Sequence, residues 1–157
     1  MDRILIVAVA SRLPEWVEAG CREYVARMPR DFAVRRVQVK PESRTQGLPL
    51  ERLLGNEAKR IADALPEGAR TVVMDERGRD LSTLTFSHLL RTWLDEGLPT
   101  AFVIGGADGL QPELKARAAM SLRLSSLTLP HALAQLVLCE QLYRAASLLT
   151  GHPYHRG

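Results

Sequence analysis

Phe102, Val103 and Ile104 read as a buried strand that breaks directly into Gly105, Gly106 and Gly109. Apolar β-branched and aromatic side chains suit a strand covered on both faces, and residues without a Cβ let backbone approach a ligand or turn with positive φ. Ligands in open α/β sheets bind just outside such carboxyl ends, so this run reads as a nucleotide-type pocket. Further on, Leu124, Ser125, Ser126, Leu127, Thr128 and Leu129 precede Pro130 and His131. Alternating hydroxyl and aliphatic side chains suit lining a cavity better than filling a core, and the two segments together predict one site. The glycine spacing matches neither the dinucleotide fingerprint nor a phosphate loop with its Lys-Ser or Lys-Thr, so dinucleotides and triphosphates are not expected.

A second group able to do chemistry closes the chain: His152, Tyr154, His155 and Arg156 combine two imidazoles, a phenol and a guanidinium. Such a tail can stack on a base, move protons and hold phosphate; its other reading is a frayed terminus. His152 and His155 do not read as a metal pair, because Pro153 disfavours the regular helix that would align both rings and no third ligand is near in sequence. No metal is expected, and His88 reads as solvated. Glu140 and Arg144 stand at i,i+4 in the favourable order and read first as a structural pair, second as wiring of a site. Cys21 and Cys139, in no Cys-x-x-Cys pair, read as packing residues.

The scaffold that must position these groups follows a βα rhythm. Strands are expected over 4–9, 32–39, 71–74 and 100–104, the second half-exposed or at an edge because apolar and basic residues alternate along it. Helices are expected over 14–28, 50–65, from a Ser82 or Thr83 cap to about Glu96, over 112–120 and over 131–150, with loops at 40–49 and 75–80. Helices alternating with strands imply a largely parallel sheet flanked by helices, an α/β fold of about five strands in one domain. The last helix carries apolar residues around most of its circumference, which suits either the centre of the core or a face against a second copy, so a homodimer is expected.

At 157 residues, 46% hydrophobic and 25% charged, the chain has the composition of one globular domain rather than a disordered tail. No apolar run is long enough to span a bilayer and the start lacks the layout of a secretory signal, so a cytoplasmic protein without membrane association is expected. The net charge is only +3, yet Arg27, Arg30, Arg35, Arg36, Lys40 and Arg44 face only Asp31 and Glu42 within one stretch. That local excess reads as phosphate attraction or as solvated charge beside a loop.

In order and spacing, several motifs resemble the bacterial ribosomal RNA large subunit methyltransferase H family of the SPOUT class. They are Leu5 to Val9, Asp75 to Gly78, Ile104 to Gly109, Leu127 to His131, Glu140 to Ala145 and His152 to Arg156. The resemblance covers essentially the whole chain. It implies a C-terminal trefoil knot, S-adenosylmethionine as methyl donor, and two protomers sharing each active site. Carried over position by position, it implies a donor pocket of Met74, Gly105, Leu124, Ser125, Ser126, Leu127, Thr128 and Leu129. It further implies methylation of N3 of a pseudouridine in the helix 69 hairpin loop of 23S ribosomal RNA, on assembled ribosomes.

The tail would then work on the base, with His155 or Tyr154 near the acceptor and Arg156 offsetting anionic charge, in reach of the other protomer's pocket. His131, Glu140 and Arg144 would shape that pocket, and the basic stretch from Arg27 to Arg44 would contact RNA phosphates. Two positions depart from the family pattern, Ala10 for Gly and Gln135 for Arg, the latter expected to remove a charge near the RNA or donor face. A SPOUT enzyme acting on transfer RNA and a non-catalytic ribosome-assembly factor are the competing readings.

Overall fold

The computed structural model describes residues 3–156, with side chains through His155. Five parallel strands, β1 (Ile4–Val9), β2 (Val34–Val39), β3 (Arg70–Asp80), β4 (Thr100–Ile104) and β5 (Met120–Arg123), form one sheet in the order β2-β1-β4-β3-β5. The helices are α1 (Glu15–Arg27), α2 (Leu50–Ala64), α3 (Thr83–Asp95), α4 (Pro112–Arg117) and α5 (His131–Thr150), with short 3-10 turns at Arg30–Phe32 and Pro153–Arg156.

Side chains alternate across a strand, so each buried strand feeds two cores. Ile4, Ile6 and Ala8 of β1 meet Val17 and Cys21 of α1, Leu90 of α3, and Leu138 and Leu142 of α5. Leu5, Val7 and Val9 point the other way, onto Ile61 of α2, Val73, Val103 and Leu110. Cys21 and Cys139 are both buried and unbridged in the first of these cores, as their expected packing role requires. β2 lies at the sheet edge, half-exposed along most of its length.

Prolines set three of the helix starts. Pro14, Pro49 and Pro130 stand immediately before α1, α2 and α5 with φ of −51°, −58° and −62°. Their rings hold φ near the helical value, and their carbonyls accept the first helical N–H groups, from Glu18, Leu53 and Ala134. Of the two cap candidates for α3, Ser82 fills the position, its Oγ accepting from the Thr85 N–H at 3.1 Å.

Two elements differ from the sequence reading. The strand expected to end at Met74 continues to Asp80, because the charged segment leaves β5 and returns to it: Leu122 pairs with Met74 and again with Arg79. Gly78 makes the return possible, since a Cβ there would lie 2.6 Å from the Leu122 backbone nitrogen. The helix expected to reach Met120 ends at Arg117, and the next residues form β5, whose four residues are too short to announce themselves by alternation.

The apolar girth of α5 is explained within the chain, because α1 and α3 both pack against it and bury Leu138, Cys139, Leu142, Ala145 and Ala146. One half-buried stripe remains, with Leu133, Val137, Gln141, Arg144 and Leu148 at spacings of three and four. Among the described residues, no helix is long and apolar enough to cross a membrane.

Candidate active site

Parallel strands deliver all their carboxyl ends to one edge, and register brings three of them level. Met74 of β3 stands beside Ile104 of β4 and beside Leu122 of β5. The segments leaving those strands enclose a cleft of about 570 Å³, walled by 74–77, by the glycine turn 104–110, by 123–131 and by the first turn of α5 through Ala134.

The glycine turn is a tight fold-back in which the Gly109 N–H donates to the Gly106 carbonyl at 3.1 Å, with Gly109 at φ 78°. Only a residue without a side chain fits at 105, where a Cβ would lie 2.5 Å from the Gly109 carbonyl oxygen. At Gly106 the same atom would meet Val9 at an ordinary 3.5 Å. Gly105 therefore serves the turn itself rather than leaving an open space that a large side chain would fill.

Of the residues predicted for the donor pocket, Met74, Gly105, Leu124, Ser125, Leu127, Thr128 and Leu129 line this cleft. Ser126 is exposed and is not among the lining residues. Leu127 is 75% exposed although aliphatic, so it stands in the cleft rather than in the core, its N–H turned back onto the Ser125 hydroxyl at 2.9 Å. His131 also lines the wall.

The sequence reading missed the charged residues of the lining: Asp75, Glu76, Arg77, Asp108, Lys115 and Arg123. Asp75 pairs with Lys115 at 3.4 Å, Asp108 with Arg44 at 3.0 Å and Arg123 with Asp80 at 3.3 Å. Asp75, Glu76 and Arg77 fell in a segment read only as a charged loop and Lys115 in an expected helix, while Asp108 lay within the glycine run without being singled out. The strand order, with β3 between β4 and β5, is what turns 75–77 toward the glycine turn.

The tail is packed rather than frayed. The left-handed Gly151 (φ 73°) ends α5, and the following turn folds back along the helix. The Tyr154 hydroxyl donates to Oε2 of Glu140 at 3.0 Å and lies 3.2 Å from the Tyr24 hydroxyl. The Tyr154 ring meets that of Tyr143 edge-on at 4.6 Å, with the Arg144 guanidinium 4.9 Å from its centre. Arg144 is itself paired with Glu140 at 3.0 Å. Burial, followed by the hydrogen bonds to Tyr24 and Glu140, pushes the Tyr154 phenol above the usual tyrosine range. Nδ1 of His155 is buried without a hydrogen-bond partner. The side chain of Arg156 lies outside the described residues.

Within one protomer the tail and the cleft do not meet, since no described tail residue lines the cleft. From Ala134 to Glu140, α5 rises by about 9 Å and turns by roughly 240°, so the two sites face different directions.

The basic stretch is largely engaged. Arg27 pairs with Glu23 at 2.8 Å, Arg36 with Glu18 at 2.9 Å, and Arg44 with Glu57 at 2.7 Å as well as with Asp108. The expected positive patch shrinks because acids from α1, α2 and the glycine turn come to it through space. The side chains of Arg30 and Lys40 are exposed. Gln135 is only 2% exposed, with its Oε1 3.5 Å from Arg36, so this departure sits in the interior rather than on a surface that RNA could touch.

A family model described as "Predicted SPOUT methyltransferase" matches residues 2–155. The chain is 52% identical, over 98% of each sequence, to a Dechloromonas aromatica protein named "Ribosomal RNA large subunit methyltransferase H". It is 49% identical to a protein of the same name from Nitrosospira multiformis, over 98% of this chain and 99% of that one. In fold it resembles a solved structure from Bordetella pertussis described as a probable methyltransferase, with TM-score 0.58 at 16% identity over 92% and 96% of the two chains. It also resembles the A. aeolicus TrmH/SpoU tRNA modifying enzyme, with TM-score 0.54 at 12% identity over 97% and 79%. With a family model spanning nearly every residue and relatives at about half identity from end to end, the chain belongs to the SPOUT methyltransferase family.

Proposed function

We propose that the cleft holds S-adenosylmethionine and that the chain methylates N3 of a pseudouridine in the helix 69 loop of 23S ribosomal RNA, as a homodimer acting on ribosomes in the cytoplasm. The convergence of the glycine turn and the 124–131 segment on one cleft beyond the strand ends carries this reading. The names of the full-length relatives supply the acceptor class.

The cleft residues suit the donor. Its volume of about 570 Å³ lies in the range of small-molecule sites. Ile104, Leu124, Leu127 and Leu129 offer aliphatic walls to an adenine, and the Thr128 and Ser125 side chains and turn backbone offer polar edges to a ribose. Acidic and basic side chains both stand in the lining, which suits a donor carrying a sulfonium, an ammonium and a carboxylate. Bound there, S-adenosylmethionine supplies an electrophilic methyl carbon.

The protein's own work is to bring N3 in line and to take its proton, since an imide nitrogen attacks only as it loses that proton. The Tyr154 hydroxyl is spent on Glu140, and His155 is the residue we assign to proton removal. We assign Arg156 to the developing negative charge on the base. The tail faces away from its own cleft, so a second copy must supply it. The apolar residues Leu133, Val137 and Leu148 on the half-buried stripe of α5 support that pairing. The trefoil knot that the resemblance implies belongs to the same proposal.

Calorimetry with S-adenosylmethionine, followed by mass spectrometry of nucleosides from treated ribosomes and from transfer RNA, tests this. Donor binding with N3-methylpseudouridine formed on ribosomes alone is expected. No binding at millimolar donor, or methylation of transfer RNA instead, would overturn it.

A further inference from the structure

We propose that Arg44 and Glu57 are positioning residues of the methyl-donor cleft, through which α2 holds the tip of the glycine turn at Asp108; this rests on the donor reading of that cleft. The turn is rich in glycine and has few side chains of its own to fix its tip. Asp108 lines the cleft from that tip, and Arg44 grips it with two nitrogens, Nε at 3.1 Å and Nη2 at 3.0 Å from Oδ2.

The third nitrogen of the guanidinium anchors the grip. Nη1 donates to Oε2 of Glu57 at 2.7 Å and to the Glu42 carbonyl at 2.8 Å. Glu57 is 2% exposed, and its charge is met by Arg44 and by the Glu42 N–H at 2.8 Å, while its Oε1 is buried without a partner. Withdrawing Arg44 would leave a carboxylate buried without a counter-charge, which is expensive enough to keep the guanidinium in place although its Asp108 side is open to water. Segment 40–45 is fixed in turn by Arg60, which donates to Glu42 at 3.0 Å and to the Lys40 carbonyl at 2.9 Å. A rigid path thus runs from the interior of α2 to the wall of the cleft.

This role excludes the one the sequence reading gave to Arg44. All three guanidinium nitrogens are occupied by protein acceptors, so no fork is left for an RNA phosphate. Lysine at this position would keep the charge but could not span both carboxylates, because its ammonium is a single point rather than a planar fork.

The test compares Arg44→Lys, Asp108→Asn and the double variant with the unaltered chain in donor calorimetry, in thermal denaturation and in methyl transfer to ribosomes at saturating donor. Each single variant is expected to weaken donor binding about 5- to 10-fold, the scale of one net hydrogen bond, with near-normal melting. The double variant should be little worse than either, as for two halves of one link. The KM for ribosomes and its salt dependence should not move. Normal donor affinity in both single variants would overturn the inference, as would an effect confined to the ribosome KM, which would mark Arg44 as a phosphate contact. No donor binding by the unaltered chain would overturn the donor site itself, and this inference with it.

Discussion

The Tyr154 hydroxyl donates to the Glu140 carboxylate at 3.0 Å, fastening the last turn of the chain to the middle of α5. This bond makes the i,i+4 pair of Glu140 and Arg144 a clamp: the acid takes the phenol and the base covers the ring. These contacts are those of a structural pair, and neither residue lines the cleft that the resemblance had them shape.

Because the Tyr154 phenol titrates above its ordinary value of about 10, its contribution to stability is complete below that value. It is lost as pH rises through the higher folded value. Tyr154→Phe is expected to lose about 1 kcal/mol at neutral pH and to show a shallower alkaline decline in urea denaturation. Identical alkaline slopes for the two proteins would sink this account.

Deleting residues 152–157 should leave donor binding intact, since no described residue of the tail lines the cleft. Methyl incorporation into ribosomes should stop. Retained turnover in the truncated enzyme would clear His155 and Arg156 of any part in the chemistry.

The two neighbouring glycines should behave differently. At Gly105 an added Cβ meets the Gly109 backbone at 2.5 Å, so Gly105→Ala must distort the turn, at a cost of about 1–3 kcal/mol, and weaken donor binding. Gly106→Ala finds Val9 at 3.5 Å and should change stability by no more than about 0.5 kcal/mol. Equal denaturation midpoints for the two variants would contradict the role given to Gly105.

The Arg36 hydrogen bond holds the Glu18 carboxyl below its usual range. That stability is present above the ordinary glutamate value of about 4.3 and lost as pH falls through the lower folded value. Arg36 is 14% exposed and its Nε already lacks a partner. Glu18→Gln should therefore cost about 2 kcal/mol at neutral pH and flatten the acid side of the stability curve. An unchanged acid limb, measured by denaturation from pH 7 down to about pH 3, would count against the pair.

Much of the scaffold was legible because local rules write it. The apolar run of β1, the edge pattern of β2, the prolines ahead of α1, α2 and α5, and the serine cap of α3 all act within a few residues of themselves. The same holds for the glycine turn, whose composition announces a fold-back whatever surrounds it. β5 and the far half of β3 escaped because their pairing depends on each other, and four residues of mixed polarity carry no period.

By itself, then, the chain determined most of its elements, two of the stretches that wall the cleft and its likeness to the SPOUT methyltransferases. Tertiary structure alone decided that β3 lies between β4 and β5, bringing Asp75, Glu76 and Arg77 to the cleft. It also decided that Arg36 and Arg44 are bound to acids rather than offered to RNA, and that the tail faces away from its own cleft. The reason is one of range: dihedral preference and side-chain period belong to neighbours along the backbone. Ion pairs and shared walls belong to neighbours in space, which a folded sheet chooses from distant parts of the chain.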